Sequence, residues 1–194
     1  MSGESDFTNY PADIPVPVDD GACDHLPGAA VPSIPLLSTS GKWIDLSSQS
    51  AFRAVVFCYP MTGVPGKPLP PNWNMTPGAR GCTPETCSFR DRHAEFGELG
   101  AEVFGLSSQT TEHQQEVAGR LHVPFEVLSD SELRFATALC LPLLEIAGMK
   151  LIRRLTLVIQ RARIEKVFYP VFPPDQAAAM VLEWLRSKPL TTTL

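Results

Sequence analysis

The chain has 194 residues, 44% of them apolar and 19% charged, with a formal net charge of −5 and a pI near 5.4. That length and apolar share suit one domain with a full core, and an acidic balance without a basic cluster argues against a nucleic-acid-binding surface. No apolar run approaches the length of a membrane span.

The opening stretch, MSGESDFTNYPADIPVPVDDGACDHLPG, is acidic and proline-rich and lacks the apolar core of a secretory signal. We therefore expect an irregular extension over residues 1–30, a folded domain over 31–188, and a cytoplasmic setting in which disulfides are transient. Five cysteines, an odd count, fit thiol chemistry better than a structural disulfide framework. Cys23 falls in the extension and is expected to be exposed, whereas Cys58 and Cys140 are expected to pack in a strand and at a helix end.

Ile34 to Leu37 and Lys42 to Leu46, joined across Ser40-Gly41, read as a short hairpin. Ala54 to Tyr59 is a continuous apolar run ended by Pro60, as expected of a strand buried on both faces. Met61 to Gly81 holds five prolines and four glycines and reads as a long loop. A helix is expected from Pro84 to Leu99, with Phe89, His93 and Phe96 at helical spacing, then a strand over Val103 to Leu106 and a helix over Glu112 to Leu121. Phe125 to Leu128 reads as a further strand, and Asp130 as the cap of a helix over Ser131 to Leu139. Leu155 to Ile159 and Ile164 to Tyr169 read as paired strands, and Pro174 to Arg186 as the last helix. Strands alternating with helices predict an α/β domain with a mixed central sheet.

The segment Gly78 to Asp91, GARGCTPETCSFRD, carries the chemistry. Thr83 can cap, Pro84 suits the first helical position, and Glu85 complements the positive end of the helix dipole. A cysteine at such a helix start gains thiolate character, which makes Cys82 a nucleophile and Cys87 a second thiol for a disulfide. In an intact helix five residues span about 7.5 Å of rise and roughly 140° of rotation. A disulfide needs Cα atoms within about 7 Å. Bonding between Cys82 and Cys87 therefore requires the first turn to unwind. A zinc site built from Cys82, Cys87 and His93 would lack short cysteine knuckles and a second pair, so neither metal nor other cofactor is expected.

The order of elements resembles a thioredoxin fold with an N-terminal extension and a long Pro/Gly-rich loop before the active-site helix. The run from Gly81 to Asp91 resembles the active-site signature of the Q-type peroxiredoxins, the bacterioferritin-comigratory proteins. Phe57-Cys58-Tyr59-Pro60 looks like that family's strand and proline before the active-site loop, and Arg154 in Arg154-Leu155-Thr156-Leu157 looks like its arginine beside the reactive thiolate. The likeness runs from about Pro32 to Leu185. It implies that Cys82 is the peroxidatic cysteine, Cys87 the resolving one, and Glu85 the residue that orients Arg154. One departure stands out: the family threonine three residues before the peroxidatic cysteine is here Ala79. Thr76 precedes Pro77-Gly78 as the family threonine precedes Pro-Gly, with Ala79-Arg80-Gly81 inserted, and is the candidate replacement.

The resemblance implies a thiol peroxidase acting on hydrogen peroxide and organic hydroperoxides. Its disulfide would be recycled by thioredoxin or a glutaredoxin-type dithiol, in a monomer or homodimer with no nucleic-acid or membrane partner. A redox sensor using the same two cysteines is the alternative. A thioredoxin-like dithiol exchanger is disfavoured, because it normally separates its cysteines by two residues rather than four.

Overall fold

In the computed structural model, which describes residues 14–48 and 53–190, a seven-stranded mixed sheet forms the centre of an α/β domain. The strands are β1 (Leu36–Ser38), β2 (Trp43–Ile44), β3 (Arg53–Cys58), β4 (Ala101–Ser107), β5 (Val127–Ser129), β8 (Leu155–Gln160) and β9 (Arg163–Phe168). Their spatial order is β2-β1-β5-β4-β3-β8-β9. β3 and β4 run parallel, as do β4 and β5, while β8 lies antiparallel to β3 and to β9. The strand pair read at the end of the sequence is β8–β9, and the hairpin near its start is β1–β2, with Leu36 opposite Ile44.

The central strands are mostly apolar because both faces of the sheet are covered. Along β3 the side chains alternate. Ala54, Val56 and Cys58 enter one core with Leu26, Phe104, Phe135 and Leu157. Val55 and Phe57 enter the other with Phe89, Phe96, Val181 and Leu182. That second core lies under α1 (Cys82–Asp91), α2 (His93–Glu98) and α5 (Ala177–Ser187). The helix expected over Pro84 to Leu99 is therefore two helices, broken at Arg92, whose backbone leaves the helical region at φ −108°, ψ 11°. α3 (Thr111–Leu121) packs against β5.

A second, two-stranded sheet pairs β6 (Leu143–Ile146) with β7 (Met149–Ile152), a hairpin that the sequence reading leaves out. Its turn is Ala147-Gly148, at φ 48° and 77°, with alanine rather than the usual asparagine or aspartate at the first position. The hairpin meets the 61–81 loop in a separate small core of Trp73, Ala79, Ile146 and Leu151. The loop is thus anchored to the domain by a buried tryptophan rather than trailing over it.

Residues 14–31 contain no strand or helix, yet they are packed: Cys23, Leu26 and Val31 are buried. The expected exposure of Cys23 is corrected by this burial, which together with the nearby aspartates pushes its thiol up to about 12. Residues 1–13 of the extension lie outside the described residues. Cys58 is fully buried as expected, whereas Cys140 is exposed just past the end of α4 (Arg134–Ala138). Among the described residues no helix is long and apolar enough to cross a membrane.

Asp130 accepts from the amides of Phe135 (3.1 Å) and Ala136 (2.8 Å), two of the otherwise unpartnered N–H groups at the start of α4. Asp130→Ala should lower unfolding free energy by about 1–2 kcal/mol, read from the urea midpoint at unchanged m-value.

Candidate active site

Three elements bring the site together. β8 pairs with β3 so that Leu155 lies opposite Cys58, which delivers Arg154 to the C-terminal end of β3. α1 is fastened over β3 by Phe89, whose ring stacks on Phe57 at 4.4 Å between centroids. The 61–81 loop returns to Gly81, which directly precedes α1.

α1 begins two positions earlier than the sequence suggests. Gly81, not Thr83, is the N-cap residue, at φ 103° and ψ 13°, and Cys82 is the first residue of the helix. A side chain at position 81 would meet Pro174, whose Cγ lies 2.3 Å from a Cβ built there, so only glycine fits. Pro84 falls within the first turn, where no intrahelical N–H bond is lost.

Arg154 holds the site's centre. Its Nη2 lies 3.2 Å from the Cys82 sulfur, and 3.0, 3.3 and 3.4 Å from the carbonyl oxygens of Arg80, Gly78 and Ala79. Its Nη1 donates to Glu85 Oε2, and both side chains are almost wholly buried. The neighbouring Arg153 points elsewhere, to Asp20, Tyr169 and the Leu143 carbonyl. The arginine beside the thiol is therefore Arg154 and not its neighbour.

The expected depression of the Cys82 pKa is not what this packing produces. Burial pushes the thiol up; Arg154 pulls it down, Glu85 pushes it up again, and the net direction is upward from 9.0. The thiol donates to the Ala79 carbonyl at 3.5 Å. Burial likewise raises Glu85, to about 7, against the pull of Arg154. Its second oxygen, Oε1, is buried with no hydrogen-bond partner, which leaves the ionised form poorly satisfied.

Cys87 sits one and a half turns further along α1, half-buried in a groove with Pro84, Arg90, Leu121 and Asp175. Because Cys82 and Cys87 both belong to a continuous helix, the geometry that forbids a disulfide between them applies to this state. Burial raises the Cys87 thiol, with Arg90 opposing. The Thr76 hydroxyl donates to the Asn72 carbonyl at 2.9 Å rather than to the sulfur. Thr76 does, however, border a cavity of about 200 Å³ that also reaches Arg154 and Pro60. No group of three or more His, Cys, Asp or Glu side chains among the described residues could hold a metal ion.

Part of the cavity wall escapes the sequence reading. Leu144 of the β6–β7 hairpin, Tyr169 at the end of β9, and Pro17 and Val18 of the N-terminal segment all line it. The alternation Pro15-Val16-Pro17-Val18 ahead of Asp19-Asp20 is the signal that could have marked the last pair as a contact strip.

Residues 26–182 match the redoxin family, most of the chain. The chain belongs to the redoxin family. Within it, its relatives place it with the Q-type, Bcp-like peroxiredoxins. It is 26% identical over 160 residues to the chloroplastic peroxiredoxin Q of Populus jackii, a match covering 82% of this chain and 68% of that protein. It is 32% identical over 111 residues to peroxiredoxin Bcp of Bacillus subtilis, covering 57% of this chain and 61% of that one. Among solved structures, peroxidoxin BcpB of Mycobacterium tuberculosis superposes with a TM-score of 0.69 at 27% identity, over 86% of this chain and all of the other. The thioredoxin-like redoxin fold accounts for the mixed sheet and for the cysteine-bearing helix at the end of β3.

In this redoxin the buried Arg154–Glu85 pair should govern stability in a pH-dependent way. Glu85→Ala leaves the guanidinium buried without its counter-charge and should cost about 3–5 kcal/mol. The unfolded chain releases the Glu85 proton near 4.5 and the folded one near 7. This group's contribution is therefore full below 4.5 and declines as pH rises to about 7. Glu85→Gln should flatten that decline in urea titrations run between pH 4.5 and 7.

Proposed function

We propose that this peroxiredoxin is a thiol peroxidase in which Cys82 is the nucleophile toward the O–O bond of a hydroperoxide. The observation that carries this reading is the 3.2 Å contact between Arg154 Nη2 and the Cys82 sulfur at the first residue of α1. A guanidinium cannot give up its proton, so it stabilises a thiolate and the negative charge that develops on the departing oxygen. Burial pushes the Cys82 thiol upward, and Arg154 is the group that pulls it back toward the thiolate.

The Cys82 thiolate attacks the terminal peroxide oxygen. A sulfur–oxygen bond forms, the O–O bond breaks, sulfur is oxidised by two electrons, and the departing alkoxide or hydroxide takes up a proton as alcohol or water. α1 then opens from its N-terminal end. The Cys87 thiolate attacks the sulfenic sulfur and expels hydroxide, which leaves as water, and a Cys82–Cys87 disulfide results. An external dithiol, thioredoxin or a glutaredoxin-type protein, reduces the disulfide by exchange. Glu85 orients Arg154. Thr76 serves the substrate from the cavity side, taking the place of the family threonine by a rearranged loop. A cytoplasmic setting suits such a transient disulfide, although the Populus relative carries a chloroplast designation in its name.

The test is peroxide consumption coupled to a thioredoxin system, supported by thiol mass spectrometry. Cys82→Ser should lower turnover on the order of a thousandfold or more. Cys87→Ser should still form a Cys82 sulfenic acid within one turnover, then accumulate sulfinic acid with excess peroxide. Normal cycling of Cys87→Ser with thioredoxin would transfer the resolving role to another thiol. A reversible Cys82–Cys87 disulfide without peroxide turnover would instead make the protein a redox sensor.

A further inference from the structure

The cavity beside Arg154, about 200 Å³, is several times the roughly 30 Å³ share of one water in the liquid, so hydrogen peroxide alone would leave most of it unfilled. Its lining includes Pro17 and Val18, which belong to a segment without regular structure. Two attachments hold that segment in place. Downstream, Cys23 and Leu26 are buried in the main core. Nearer the cavity, the Asp20 carboxylate accepts from Arg153 Nη1 at 2.7 Å and from the Tyr169 hydroxyl at 2.8 Å, and Arg153 also donates to that hydroxyl at 3.0 Å.

The strap also touches the loop that Arg154 organises. Pro17 Cβ stands 3.8 Å from a Cβ built on Gly78, whose carbonyl lies 3.3 Å from Arg154 Nη2. Val18, which lines the cavity, is 80% exposed, among the most exposed large apolar side chains of the described residues. Apolar side chains left in water at the mouth of a cavity gain by covering an apolar group that enters it. Pro60, Leu144 and Val171 give the inner wall the same character, and Arg154 supplies the charged end.

We propose that Pro17 and Val18, held by the Asp20–Arg153–Tyr169 clamp, form the outer wall of the substrate site and favour hydroperoxides with an apolar organic group over hydrogen peroxide. This rests on the peroxidase reading above. Asp20 is a positioning residue: it touches the strap's partners and not the substrate. Hydrogen peroxide has no organic part for the wall to cover, so the wall acts on the ratio of the two reactivities.

The decisive measurement is stopped-flow oxidation of the reduced full-length protein by cumene hydroperoxide and by hydrogen peroxide, which needs no reductant. Asp20→Ala and Val18→Glu should each lower the ratio of the two second-order rate constants, cumene hydroperoxide over hydrogen peroxide, about fivefold to tenfold. Val18 is so exposed that its substitution leaves folding intact, which keeps the test valid should Asp20→Ala fold poorly. An unchanged ratio in Val18→Glu, or an equal fall of both constants in the two variants, would overturn the wall. A wild-type Cys82 thiol oxidised by neither peroxide would overturn the peroxidase reading itself, and the wall with it.

Discussion

The buried guanidinium of Arg154 is the interaction on which the rest of the site depends. From just ahead of β8 it reaches across the sequence to residues 78–85, holding the loop carbonyls of residues 78 to 80, the Cys82 sulfur and the Glu85 carboxyl. Burying a charge is costly unless its hydrogen-bonding capacity is met. Here the loop supplies carbonyl oxygens and α1 supplies a carboxylate. The inserted residues Ala79-Arg80-Gly81 take part in this, because two of them present their carbonyls to Nη2. What looks in the sequence like an interruption of a threonine-containing motif is, in three dimensions, part of the arginine's cradle.

The thiol's environment is a balance of opposing effects rather than a simple activation. A helix start and an arginine both favour the thiolate; the first is legible from local sequence, the second only through the family resemblance. Desolvation and the Glu85 charge oppose them, and neither could be weighed before the depth of the site was known. Burial wins in the closed state. The same depth makes Arg154 effective, since its field is not dissipated by water.

Much of the fold could be read along the chain because its strongest signals are local. Ala54 to Tyr59 marks a strand covered on both faces, and Asp130 does cap the amides of α4, although that helix starts at Arg134 and not at Ser131 as expected. The β6–β7 hairpin was missed for the opposite reason. Its strands are short and half-exposed, and its turn uses Ala147-Gly148. The split of one expected helix into α1 and α2 at Arg92 has no glycine or proline to mark it. The site itself was legible only in part. Gly81 to Asp91 is one continuous segment, whereas Arg154 lies 72 residues from Cys82, and only the family resemblance connected them. Residues 14–31 form no strand or helix, and composition says nothing of where such a stretch of chain comes to rest. Its position follows from Leu26 in the core and Asp20 on Tyr169.

Glu85 lies between the two cysteines on α1, inside the very stretch that must open if they are to meet. In the proposed cycle its hold on Arg154 therefore sets a delay. Opening cannot proceed from the first turn without loosening or carrying off this carboxyl, and local opening rates fall as the contacts to be broken become stronger. During that interval the oxidised Cys82 has no thiol partner, and a second peroxide can carry it on to the sulfinic acid. A firmer Arg154–Glu85 pair would steady the reduced site while lengthening this exposure, so in such a cycle resistance to oxidative inactivation would be set in part by Glu85, which meets the site only through Arg154.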